Sequence, residues 1–303
     1  MIRFKRLPLS LLNNWLVEKI LPTAHQQYRL RLWRENKNGL AAIKAELIVY
    51  LDEAFDDARK RLRKGFEDSL SPFITLSPDP AANYPAMLHQ ITLQGYLGET
   101  LAVLAVEHWG AVGHQDWIVP AFLFRLHDQE FQHLELINQK LAAGEVYDPN
   151  AEGEKRPGRT GDDGLAFRIN VQNVITDILT LEAKCVDANR PPLIKDAHEK
   201  LSSGSKMPSG IRELINILAE YNTPEANAWQ QALLQLRASN CLNATRYDGV
   251  AYACGAIPQQ VNRISWMTAN APDPSYTAQR YLEGMEFQFT DLPSLINTLY
   301  RGS

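Results

Sequence analysis

Two side chains in the segment GDDGLAFRINVQNVITDILTLEAKC, residues 161–185, are spaced for chemistry. Glu182 and Lys184 stand two apart in an otherwise apolar run, and alternate residues of a strand share a face. Thr180 points with them, while Leu179, Leu181, Ala183 and Cys185 point the other way, into a core. A hard cation such as Mg²⁺ is held by one or two carboxylates together with water and phosphate oxygens. Glu182 supplies one carboxylate, Asp163 at the mouth of the preceding strand a second, and the Ala183 carbonyl a third oxygen. Lys184 then polarises a bound water or stabilises charge building on a phosphate. Asp162 competes with Asp163 for the ligand role; Asp163 is nearer the strand and is preferred.

The elements that must position these groups follow from periodicity. Residues 1 to about 75 read as helical: Leu9, Leu12, Trp15, Leu16 and Ile20 have helical spacing, and Pro22 stops that helix. A second segment, His25 to Arg34, carries three arginines beside Tyr28 and Trp33. A long helix is expected from about Leu40 to Asp68, ending in the basic cluster Arg59, Lys60, Arg61, Arg63 and Lys64. That cluster is either a solvated helix end favoured by the macrodipole or a phosphate contact. The prolines between Ser69 and Pro85 mark the expected boundary, giving a helical region over 1–80 and a second domain over 81–303.

Ala86 to Trp109 reads as a core helix, with Gly95 and Gly98 thinning it for approach to a sheet. Asp116 to Leu126 reads as a strand, with Pro120 suggesting an edge or bulge, and 128–143 as a helix. The loop 144–161 carries Lys155, Arg156 and Arg159, either a basic mouth for a phosphodiester or a solvated insertion. Asp177 is assigned to the turn between the two motif strands. Helices follow over Leu193–Leu201, Pro208–Tyr221 and Pro224–Ala238, then strands over Arg246–Gly255 and Tyr281–Phe289 and a last helix over Ser294–Tyr300. His198 reads as a surface histidine.

Composition sets bounds. The 303 residues are 45% hydrophobic and 22% charged, ordinary for a globular protein. No apolar run reaches the ~18 residues that span a bilayer. The N-terminal stretch, interrupted by Asn13, Asn14, Glu18 and Lys19, reads as an amphipathic helix rather than a signal peptide, so a cytoplasmic protein with no membrane partner is expected. Cys185, Cys241 and Cys254 show no pairing motif and argue against a zinc site and a disulfide framework. The net charge of −4 leaves any nucleic-acid binding to local basic patches. Signatures GxSxG, HExxH, GxxxxGK[ST] and GxGxxG are missing.

Asp163 followed by Glu182-Ala183-Lys184 resembles the core motif of the PD-(D/E)XK nuclease superfamily, over roughly Pro85 to Ser203. No Pro precedes the Asp. The resemblance implies an α/β (α+β) fold with a restriction-endonuclease-like α-β-β-β-α core. It implies Mg²⁺ or Mn²⁺ on Asp163, Glu182 and the Ala183 carbonyl, with Lys184 assisting the attacking water. In that superfamily the preceding helix often adds a carboxylate, which here is Glu99, with Glu107 as fallback; a solvated helix glutamate is the plain alternative. The implied activity is a metal-dependent nuclease cutting phosphodiesters, most readily DNA. The layout is similar to restriction and anti-phage defence nucleases, including the Hachiman type whose nuclease subunit pairs with a helicase. The alternatives are a catalytically inactive nuclease-fold protein serving as a binding or assembly subunit, and an exposed ion pair with no chemistry, of the kind worth only ~0–1 kcal/mol.

Overall fold

A computed structural model of the chain describes residues 7–66, 79, 81–124, 134, 136–137, 139–140, 143–148, 162–204 and 207–302. Among these lie six strands and seven helices. The N-terminal region departs from the helical expectation. After a short helix α1 (Leu9–Trp15) the chain runs directly into strand β1 (Leu16–Leu21), and β2 (Tyr28–Glu35) follows. The reason is visible in YRLRLWRE. Tyr28, Leu30 and Leu32 alternate with Arg29, Arg31 and Trp33, which is the period of a strand and not of a helix. Helix α2 (Lys37–Phe66) then forms near where expected.

Helix α3 (Gln90–Trp109) opens with His89 accepting from Ile91 N. Gly98 lets it lie close on the sheet, since a Cβ there would stand 3.0 Å from Cys185 Cβ; Gly95 meets nothing within 4 Å and has no such role. Strand β3 (Gly164–Ile169) and strand β4 (Ile175–Val186) form an antiparallel hairpin. Its turn sits at Asn170–Val174, where Asn170 accepts from Gln172 N and Val174 N and Asn173 takes φ 59°. Asp177 is therefore a strand residue, paired with Arg168 at 3.0 Å, and not part of the turn.

Helices α4 (Pro191–Ser203), α5 (Gly210–Ala219) and α6 (Pro224–Ala238) fill the crossover to β5 (Thr245–Cys254). Strand β6 (Leu282–Gln288) and helix α7 (Leu292–Tyr300), capped by Asp291 on Ser294 N, complete the chain. The sheet order is β1-β2-β6-β5-β4-β3. Its interior pairs β2–β6, β6–β5 and β5–β4 are parallel, and the edge pairs β1–β2 and β4–β3 are antiparallel. This is a mixed α/β fold. The parallel interior has helices on both faces, as parallel sheets require.

One face of the sheet packs α1, α2, α3 and α7 on Trp33, Leu179, Leu181, Ala251 and Phe287 in one large core. The other face carries two separate apolar clusters. One joins Phe167 and Ile178 to α5 and α6; the other joins Val186, Val250 and Tyr252 to α4. Because β1 and β2 belong to this sheet and α1 and α2 to the large core, neither sheet nor core breaks at the expected 80/81 boundary.

The strand expected over Asp116–Leu126 is reduced, among the described residues, to a single antiparallel bridge, Ile118 with Phe167. Pro120, which has no N–H to donate, stops the ladder there. The helix expected over 128–143 and the basic residues Lys155, Arg156 and Arg159 lie largely or wholly outside the described residues. No described helix is long and apolar enough to cross a membrane.

Candidate functional site

Between the two apolar clusters on the second face runs a polar seam. On β4 it consists of Thr180, Glu182 and Lys184; parallel pairing sets Asp248 of β5 beside Thr180. These are even-numbered β4 residues, as are Ile178 and Val186, which belong to the clusters either side. The strand alternation seen in the sequence thus holds, and it faces Glu182 and Lys184 away from α3.

Glu182 is 1% exposed and carries a cation on each oxygen. Lys184 Nζ donates to Oε1 at 2.6 Å. Lys200 Nζ, from the last turn of α4, is ion-paired with Oε2 and reaches Asp163 Oδ1 at 3.7 Å. Asp163 stands just before β3. Its amide donates to Leu181 O at 3.2 Å, and its Oδ2 accepts from Ala183 N at 2.8 Å. Leu181 and Ala183 direct their backbone groups toward the β3 side, because residues two apart in a strand do so. The Ala183 carbonyl therefore aims the same way, past the start of β3 and beside Asp163. Asp163, Glu182, Ala183 and Lys184 converge here.

Electrostatics match this crowding. Glu182 is pushed up to about 7, first by burial and then by the Asp163 charge, against the opposing pull of Lys184 and Lys200. Lys200 is held above its ordinary value: burial lowers it, but the Asp163 and Glu182 charges outweigh that.

The two neighbouring aspartates separate. Asp162 Oδ2 accepts from Gly210 N at 2.6 Å and from Ser209 Oγ at 2.9 Å, so it caps the N-terminus of α5. Asp163 alone of the pair docks on the Glu182–Lys184 segment.

Glu99 is not brought into the cluster. It lies on α3, against the opposite face of the sheet, and its charge acts on Tyr300, whose hydroxyl burial raises first. Glu107, the fallback, accepts from Tyr50 Oη at 3.0 Å within the same helical layer. The extra ligand expected from this helix is corrected on that ground: α3 covers Ala183 and Cys185, while Glu182 and Lys184 face α4. His198, expected at the surface, is 1% exposed and held neutral by burial, with Nδ1 on Ile194 O at 2.7 Å.

Sequence reasoning missed Lys200. Its only signal was its place on the helix after the motif strand, shared with Lys195 and His198. Asp248, read from the sequence only as the beginning of a core strand, is buried, and its Oδ2 accepts from Tyr276 Oη and Arg280 Nε, both at 2.8 Å, next to Arg246.

Chemically, the cluster offers two carboxylates and a carbonyl flanked by two ammonium groups. A single lysine contacts one oxygen of each carboxylate, so the two groups stand close together. Among the described residues no three His, Cys, Asp or Glu side chains gather as a metal set. Hard-cation sites of two carboxylates completed by backbone and water oxygens fall below that count, and the oxygen-only donors fit Mg²⁺ or Mn²⁺. Comparison with protein-family models and with curated proteins returned no match for this chain.

Proposed function

We propose that this protein is a divalent-metal-dependent nuclease of restriction-endonuclease-like architecture. The observation carrying the reading is the convergence of Asp163, Glu182, Ala183 and Lys184 in a polar seam between two apolar clusters. Stability alone gives little reason for it, since burying an ion pair commonly costs as much in desolvation as it returns. Architecture supports the reading as well. Helix α3, β3, β4 and α4 follow in chain order, with β5 parallel to β4, and Ile118 makes a single bridge to β3 where the superfamily's first strand is expected.

Asp163, Glu182 and the Ala183 carbonyl would hold Mg²⁺ or Mn²⁺, which when bound lowers the pKa of water and neutralises phosphate charge. Lys184 stays on the carboxylate by its short strand-borne reach and presents its remaining N–H donors to a water or to a phosphate oxygen. There it would orient the attacking oxygen and stabilise the negative charge that grows on the phosphoryl oxygens. The buried wall of Thr180 and Tyr252 excludes bulk water from one side of the site and strengthens these charges. DNA is the proposed substrate, with a helicase-type partner supplying duplex affinity that a chain of net charge −4 lacks. A cytoplasmic anti-phage defence role suits such a pair.

One observation favours a second reading, a nuclease-fold assembly subunit without activity. Both oxygens of Glu182 are taken by lysines, so the carboxylates are already neutralised from within.

One experiment separates the two. Purified protein and a Lys184→Ala variant are incubated with plasmid and single-stranded DNA in Mg²⁺, Mn²⁺ or EDTA. Metal-dependent cutting by the parent and its loss in the variant support the nuclease. Uncut substrate in every condition, with a partner helicase present as well, sinks it.

A further inference from the structure

Lys200 occupies a position that no part of the metal-site reading requires. It comes from α4, a different element from the motif strands, and its ammonium meets Glu182 Oε2 and Asp163 Oδ1 together. Those are oxygens that the two carboxylates would turn toward a divalent ion. An ammonium and a hard metal ion cannot both sit against them: both are compact cations, and their repulsion is strong in a seam where Glu182 is buried. Lys184 is different. It holds the other oxygen, Oε1, and a strand register two residues from Glu182 keeps it there.

We infer that Lys200 is a tethered counter-cation that competes with the divalent metal for Glu182 and Asp163 and must leave for the metal to load. The inference rests on the metal-site reading above. Three facts carry it. Lys200 bridges the two carboxylates. Its side chain is 40% exposed, against 26% for Lys184, so its flexible stem can swing to solvent without moving backbone. It sits in the last turn of α4, four residues before Gly204, at the open end of that helix.

The charge count gives the consequence. Asp163 and Glu182 are balanced by Lys184 and Lys200. A divalent ion in place of the Lys200 contact leaves the cluster net positive, with a released ammonium at its rim. A phosphodiester is the ligand class that both would attract. Metal and phosphodiester then bind cooperatively, because the substrate gives the displaced ammonium a new partner.

The test is calorimetric titration of Mn²⁺ into the full-length protein and into Lys200→Met and Lys200→Arg variants, at pH 7.5 and fixed ionic strength. Circular dichroism melts confirm that each variant is folded. Lys200→Met is expected to bind Mn²⁺ about tenfold more tightly than the parent. Lys200→Arg, which keeps the charge, is expected to bind no more tightly than the parent. If the parent binds Mn²⁺ and Lys200→Met binds equally or less tightly, Lys200 is a structural counter-ion and the inference is overturned while the metal site stands. If neither folded protein binds Mn²⁺, the metal site itself fails, and the inference with it.

Discussion

Two buried glutamates on opposite faces of one sheet are solved in opposite ways. Glu283 of β6 faces the α3 layer. Arg29 Nε reaches both its oxygens at 3.0 and 3.1 Å, Arg31 Nε donates at 2.7 Å, and Val112 N at 2.9 Å. Arg31, itself 2% exposed, spends its other N–H groups on Trp109 O, Gly110 O and the Glu18 carboxylate, and lies 4.8 Å over the Trp33 ring. The loop after α3 takes left-handed backbone at Gly110 and at Val112, φ 69° and 46°, to bring these groups in. Glu182 of β4, by contrast, is held by two lysine point charges, one of them well exposed. Planar guanidinium forks in a fixed lattice of backbone partners make a structural tie. Flexible ammonium groups make a contact that can be exchanged. The difference marks Glu283 as part of the scaffold and Glu182 as available to a ligand.

The sharpest way to break that comparison is to truncate each glutamate. Glu283→Ala leaves the buried Arg31 with only the partly exposed Glu18 carboxylate, 3.3 Å away, as its charge partner, so chemical denaturation should show a loss of about 3–5 kcal/mol. Glu182→Gln keeps the shape and leaves lysines that can turn to solvent, so the melt should not fall below the parent's while metal-dependent cutting falls by about 10²–10³-fold. A Glu182→Gln protein that unfolds as badly as Glu283→Ala would erase the distinction. Lys184→Ala should likewise spare the fold and lower the cutting rate by about 10²-fold, read in kcat rather than KM because its proposed contact strengthens in the transition state.

Titration sharpens the comparison further. The Glu182 carboxyl rises from 4.5 to about 7, with burial the leading cause. A raised folded-state pKa means that the native protein holds this proton more tightly than the unfolded chain does. The resulting stability is complete below about pH 4.5 and is lost as pH climbs through about 7. In metal-free protein this group should therefore contribute a decline on the order of 3 kcal/mol across that window. Urea titrations at several pH values should show the decline in the parent and a flatter profile in Glu182→Gln. An unchanged slope in that variant would place the titrating group elsewhere.

Legibility in the sequence followed the strength of local pattern. Alternation in LTLEAKC displayed the motif strand and the shared face of Glu182 and Lys184 directly, and helices α3, α4, α6 and α7 were near their expected places. Glu182 and Lys184 were legible as neighbours because strand geometry alone makes them so. Lys200 was not, because its approach depends on how α4 crosses the sheet. The same cause lies behind the Glu99 correction: helical periodicity says which side of a helix is buried, but not which face of the sheet it will cover. The N-terminal strands were missed for a different reason. Leu9 to Ile20 spans a helix that passes into a strand without a break, so one helical periodicity was read across two elements. Nearness to the strand favoured Asp163 over Asp162, but the role of Asp162 depends on the N-terminus of α5, 48 positions later in the chain at Gly210.

The smallest expected effect concerns the basic run at the end of α2, which the sequence left open between a solvated helix end and a phosphate contact. Arg59, Lys60, Arg61 and Arg63 are already engaged. Arg59 pairs with Asp52 and Asp56, Arg61 with Glu213 and Phe124 O, and Lys60 lies 4.3 Å over the Tyr221 ring. Arg63 pairs with Asp79 at 2.9 Å, both half exposed. A phosphate would have to displace these acids one by one, at no gain in charge neutralisation. Arg63→Ala should therefore change stability by no more than ~1 kcal/mol. It should also leave the slope of log binding constant against log salt unchanged for DNA, whereas loss of a true phosphate contact would reduce that slope by about one unit. A reduced slope would place part of the nucleic-acid surface at the end of α2, beside α5.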